Sequence, residues 1–251
     1  NSKYFPMVLS SDLVPFRSQG LRKSSHATEA QRTPAPPPQH ANGKSLGEWA
    51  YDVILDRMLS REIPPGAMLQ ERSLGEALEI SRTPIREALT RLESEGFVTR
   101  HAGRLLIVRE IPVQELMQIF HVRSILEVEA VSLAAPRIDL DELATLRKLF
   151  ETQKKKPLPD GGLHWDADDL LHGTIAAASG NQILADMVRA LRRKTRMFNL
   201  KRMPERFLLG SDEHLAIIDA LARRDERQAR RAMATHIENS RRSVLRVLGD
   251  K

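Results

Sequence analysis

The sequence predicts a mainly α-helical fold: a small N-terminal unit of three helices and a two-stranded hairpin, then a C-terminal antiparallel α-helical bundle. Three observations predict it. Aromatic residues are only 4% of the 251, while Leu, Ala, Arg and Glu abound, and unbranched side chains lose little rotamer freedom in a helix. Apolar residues recur at helical spacing from about residue 45 onward, with one short hairpin-like interruption. Pro and Gly fall between the periodic segments or just beyond them.

Residues 1–44 are set apart. Pro34, Pro36, Pro37 and Pro38 sit among Ser, Thr, Gln and Ala, and such a stretch buries too little apolar surface to offset its ordering entropy. A disordered tail is expected there. Order is expected to begin at Ser45, which stands in capping-box spacing with Glu48. Leu46, Trp49, Ala50, Val53, Ile54 and Met58 follow at helical spacing, and Pro64-Pro65-Gly66 is read as the stop. A short helix over Glu71–Glu79 buries Leu74 and Leu78, and a third starts at Ser81. Two strands are expected over Phe97–Arg100 and Leu105–Val108, joined at His101-Ala102-Gly103, where Gly103 permits a positive φ. Helices, then a hairpin, make a winged helix-turn-helix over residues 45–110. Beyond Pro112 six helices are expected, Val113–Ala134, Leu140–Lys155, Leu163–Ser179, Gln182–Met203, Ser211–Arg223 and Asp225–Leu248, making an all-helical domain over residues 111–251.

Composition bounds the chemistry. Without cysteine there are no disulfides, thiolate metal sites or thiol catalysis. No run approaches the about 18 apolar residues that span a bilayer, and no secretion signal is evident, so a cytoplasmic protein with no membrane partner is expected. The formal net charge is +6, which favours polyanions, nucleic acid first. Yet acids and bases balance between Arg61 and Glu110. The excess lies in Arg189, Arg192, Arg193, Lys194, Arg196, Lys201 and Arg202.

The third helix carries the first functional pattern. At about 100° per residue Ile85, Ala88, Leu89 and Leu92 share one face, and Arg82, Arg86 and Thr90 another. A guanidinium fork can grip guanine O6 and N7 or a phosphate; equally, an Arg pair can simply solvate an amphipathic helix. In the all-helical part, Asp168 and His172 stand four apart on one helix face, with His214 and His236 on two further helices. A carboxylate and three imidazoles on facing helices suit a divalent metal (Zn, Ni, Fe or Mn), although Asp–His at this spacing also serves as a surface hydrogen bond.

Resemblance sharpens both patterns. Pro65-Gly66, Leu69-Gln70-Glu71-Arg72, Ser81-Arg82-Thr83-Pro84-Ile85-Arg86-Glu87-Ala88-Leu89 and Gly96-Phe97-Val98 resemble the winged-helix domain of GntR-family transcription regulators. Asp168-Asp169-Leu170-Leu171-His172, Glu213-His214-Leu215-Ala216 and His236 resemble the FCD ligand-binding domain of the FadR-type subfamily, in its shorter six-helix, metal-binding group. The resemblance implies a homodimer that binds double-stranded operator DNA through Arg72, Arg82, Thr83, Arg86 and the wing glycine Gly103. It implies metal ligation by Asp168, His172, His214 and His236. The effector it implies is a small organic or sugar acid, near Arg123 and Asn181. Arg123 also fits an ion pair with Glu127, and Asn181 a helix cap. The wing histidine used by some family members falls at Ala102, with His101 one place away. A metalloenzyme acting on a small carboxylate is the alternative, lacking a well-placed general base.

Overall fold

Residues 44–155, 161–198 and 204–249 are described by a computed structural model, apart from the side chains of 161–165, 204–209 and 247–249. The tail expected over 1–44 lies almost wholly outside the described residues, as do His164, Lys201 and Arg202 as side chains. Helix α1 (Leu46–Leu59) opens as expected: the Ser45 hydroxyl accepts from the Glu48 amide at 3.2 Å, and the Glu48 carboxylate accepts from the Ser45 amide at 2.8 Å. It stops before Pro64, because Arg61 takes a left-handed φ of 68°. Strand β1 (Met68–Leu69) leads into helix α2 (Glu71–Leu78), which ends on a left-handed Glu79. Helix α3 (Arg82–Ser94) buries Pro84, Ile85, Ala88, Leu89 and Leu92 against α1. Ser81 holds the N-cap position, but its side chain makes no cap hydrogen bond.

Strands β2 (Val98–His101) and β3 (Leu105–Val108) form the wing, and β1 completes an antiparallel sheet in the order β1-β3-β2. β1 was not expected: two residues carry no readable alternation. The turn takes positive φ at both Ala102 (48°) and Gly103 (72°), and the Arg104 amide donates to the His101 carbonyl. Two left-handed residues in succession match the twist of a tight hairpin.

The bundle comprises α4 (Val113–Ala134), α5 (Leu140–Lys154), α6 (Gly161–Ala178), α7 (Gln182–Met197), α8 (Pro204–Ala222) and α9 (Glu226–Gly249). Helix α4 sits centrally, packed on α6, α7 and α9, and buries Leu116, Ile119, Phe120, Ala130, Val131 and Ala134. Two boundaries differ from expectation. Helix α7 ends at Met197, six residues early, where Arg61 donates to the freed Met197 carbonyl. Helix α8 begins at Pro204 rather than Ser211; proline breaks a helix interior yet fits its first position, where the missing N–H is harmless. Among the described residues no helix is long and apolar enough to cross a membrane.

The two serine caps differ in a measurable way. Ser45→Ala should lower unfolding free energy by about 1 kcal/mol, whereas Ser81→Ala should stay within about 0.5 kcal/mol of the parent. Urea denaturation of the two variants checks this; equal losses would contradict the capping geometry.

Candidate metal centre and DNA-reading face

Three helices converge on a buried polar cluster. Helix α6 supplies Asp168 and His172, α8 supplies His214 and α9 supplies His236, all buried. One ligand atom from each lies within 4.8 Å of every other. His214 Nε2 is 2.9 Å from Asp168 Oδ1, and His172 Nε2 is 3.7 Å from the same oxygen. The ring centroids of His214 and His236 are 4.4 Å apart, and those of His172 and His236 are 5.1 Å apart. Among the described residues His172 Nε2 has no hydrogen-bond partner although it is buried. Such an orphaned imidazole nitrogen calls for an explanation, and a role as a metal ligand supplies one.

A second layer of charges orients the first. His172 Nδ1 meets the Glu127 carboxylate, and His236 Nδ1 lies 2.9 Å from Glu213 Oε2. A carboxylate accepts the Nδ1 proton, which fixes the tautomer and leaves a lone pair on Nε2. Glu127 also accepts from Arg123 Nε at 2.7 Å, and Glu213 accepts from Asn239 at 2.8 Å. Arg192, on α7, donates to Asp168 and, at 2.9 Å, to Asp169, which is shared with Arg196 at 2.5 Å.

These pairings decide the protonation states. Burial alone would raise both carboxyls. The Arg123 and Arg192 guanidiniums and the His172 hydrogen bond together outweigh it at Glu127, and Arg192 with the His214 hydrogen bond and His172 outweighs it at Asp168, so both stay well below the usual carboxylate range. Burial lowers His172, aided by Arg192, and lowers His236 further, aided by His214. Both imidazoles are therefore neutral at pH 7, the form that ligates metal. One carboxylate and three imidazoles, closed in by apolar helices, match the donor chemistry of Zn²⁺ and its neighbours.

The structure gathers all four residues read as metal ligands and brings Arg123 to their edge. It shows Arg123 in the ion pair with Glu127. Asn181 stands at the N-cap of α7, where its side chain accepts from the Leu184 amide at 3.1 Å. Arg192 and Glu213 were missed by sequence reading, which counted Arg192 only among the residues that carry the excess positive charge. A signal existed: Arg192 continues the stripe of Leu184, Ala185 and Val188, so a cation sits on an apolar helix face.

The second candidate surface is the start of α3. Arg82, Thr83 and Arg86 are exposed there. Arg86 makes a two-pronged pair with Glu71, at 2.9 and 2.8 Å, and Arg72 pairs with Glu76 at 2.8 Å. Arg82 has no ion pair among the described residues. Gly103 lies at the wing tip, with open space where a side chain would stand.

Comparison with known proteins agrees with this architecture. Residues 46–108 match the model for bacterial regulatory proteins of the gntR family, and residues 118–239 match the FCD domain. The Nta operon transcriptional regulator of Aminobacter aminovorans is 30% identical over 190 residues, spanning 76% of this chain and 90% of that one. The transcriptional regulator LutR of Bacillus subtilis is 26% identical over 204 residues, covering 71% of this chain and 91% of its own length. Among solved structures, E. coli McbR/YncC superposes with a TM-score of 0.70 at 25% identity, over 78% of this chain and 95% of that one. The chain belongs to the GntR family of bacterial DNA-binding transcription regulators, with an FCD domain following its winged helix-turn-helix.

Proposed function

We propose that this regulator binds operator DNA as a homodimer under the control of a small carboxylate effector, held at a divalent metal in the buried cluster. The observation that carries this reading is the convergence of Asp168, His172, His214 and His236 to within 4.8 Å, with two of the imidazoles oriented by carboxylates. Charge supports the effector class. Two buried carboxylates, Glu127 and Asp168, face two buried guanidiniums, Arg123 and Arg192. Adding Asp169 and Glu213 against Arg196, and with neutral imidazoles, the four carboxylates and three guanidiniums around the cluster sum to −1, so a divalent cation would leave an excess of +1. Uncompensated buried charge is costly, and an anion relieves it. The bound ion would supply a Lewis-acidic anchor for a carboxylate, while Arg123 and Arg192 offer charge-assisted hydrogen bonds beside it.

On the DNA side, Arg82, Thr83 and Arg86 open the recognition helix, where side chains reach base edges, with Arg72 and the Gly103 wing tip beside them. Symmetric operators fit a two-fold dimer. The exposed ion pairs of Arg72 and Arg86 hold those side chains weakly, so exchange of Glu76 or Glu71 for phosphate or guanine is accessible.

Two measurements test this reading. Mass spectrometry of purified protein should find about one divalent metal per chain, lost in His172→Ala and in His214→Ala; metal-free protein even after reconstitution would remove the metal from the reading. Arg82→Ala and Arg86→Ala should each weaken operator binding about 5- to 150-fold if they contact bases, read by fluorescence anisotropy at fixed salt. Parental affinity in both would take those side chains out of the interface.

A further inference from the structure

Helix α7 carries two neighbouring arginines with different partners. Arg192 turns into the bundle to hold Asp168 and Asp169. Arg193 lies about 100° further round the helix and turns outward to α1, where its Nη1 donates to the Tyr51 hydroxyl at 3.2 Å. That hydroxyl donates in turn to Glu95 Oε2 at 2.5 Å. Glu95 is the C-cap of α3, the recognition helix. A carboxylate there faces the negative end of the helix dipole, so its position depends on the donors around it. Besides Tyr51 these include Arg91, whose Nε donates to Glu95 Oε1 at 2.8 Å and whose guanidinium lies 3.9 Å over the Tyr51 ring.

The rest of the α1–α7 junction is not closed by packing. A cleft of about 390 Å³ opens among α1, α6 and α7, with Asp52 and Asp56 of α1 facing Arg189, Arg192, Arg193 and Arg196 of α7. Discrete polar contacts therefore set how α1 sits on α7: the Arg193–Tyr51 bond, and the Arg61 bond to the Met197 carbonyl.

We infer that Tyr51 and Arg193 are positioning residues that couple the buried cluster at Asp168 to the orientation of the recognition helix. The inference rests on the proposed metal-dependent reading. Arg192 must share Asp168 with any cation placed among the four ligands. Like charges share one carboxylate poorly, so Arg192 shifts its pairing toward Asp169 or Glu127, both already within its reach. Arg193 is the next residue on the same rigid helix, and it transmits that shift through Tyr51 to Glu95.

The test uses the full chain, zinc chloride alone as the probe, and a DNA duplex selected by the parent protein from random sequence. Zinc should change the parent's operator Kd by about 5- to 150-fold, the usual range of coupling between sites. Tyr51→Phe keeps the buried ring and loses only the hydroxyl; Arg193→Gln removes the same contact from the other side. Both should bind zinc like the parent, and whatever their metal-free Kd, the ratio of Kd with and without zinc should fall below about twofold. The double variant should lose no more than either single one, because both act on one contact. A variant that binds zinc and keeps the parental change overturns the relay and leaves the proposed function standing. A parent that binds zinc with no change in Kd also overturns the relay. A parent that binds no zinc overturns the metal reading. The relay is then judged by Arg192→Gln, whose effect on operator Kd must vanish in a Tyr51→Phe background; additive effects sink it.

Discussion

Buried charge is the constraint on which the bundle depends. Arg123, Glu127, Asp168 and Arg192 are each less than 10% exposed, and a buried ion without its partner is far more destabilising than an equal apolar gap. Their pairings cross α4, α6 and α7, and the imidazoles that adjoin them extend the set to α8 and α9. A register slip in any of these helices would strand a charge. The apolar stripes supply the driving force for packing, but stripes of Leu and Ala tolerate sliding. The polar cluster does not, so it selects one arrangement among several that bury similar area. The residues that fix the register are the ones that form the candidate site.

The winged-helix unit follows a simpler logic. Its core is a single apolar cluster in which Ile85, Ala88, Leu89 and Leu92 of α3 pack on Ala50, Ile54 and Met58 of α1. Among the described residues nothing charged is buried there, and Arg72 and Arg86 stand outward, paired with Glu76 and Glu71 of α2. The packed apolar residues and the exposed arginines thus sit on opposite faces of one helix. Substitution on the outer face leaves the fold intact, whereas the bundle's candidate site cannot change without disturbing its own scaffold.

The sequence made much of this legible. Helix existence was readable because strong amphipathic periods leave little choice, and Val113–Ala134 matches α4 at both ends. The capping box at Ser45 and the positive φ at Gly103 were readable because each is a local chemical demand. Boundaries at Arg61, Met197 and Pro204 were not, since the stops depend on left-handed residues or tertiary donors such as the Arg61 guanidinium. The Asp168–His172 spacing showed a possible ligand pair and the family resemblance added His214 and His236, but their convergence depends on how α8 packs on α6 and α9 on α8. Arg192 escaped for a related reason. Its neighbours Arg193 and Lys194 made it look like one more member of a basic run, and only its place on the apolar stripe distinguishes it.

The charge balance of the DNA-reading unit has a consequence for how it discriminates. Acids and bases are equal in number from Arg61 to Glu110, and Arg72, Arg86 and Arg100 are all engaged by glutamates in the free protein. Non-specific affinity for DNA comes from cations that release condensed counterions, and in this unit three of the exposed cations are already paired while Arg82, among the described residues, is not. These exposed pairs offer little resistance to exchange because water screens them. Any anion that approaches Arg72, Arg86 or Arg100 therefore competes with the glutamate already there, and specificity, a ratio of affinities, is set by how much better one acceptor does in that exchange than another.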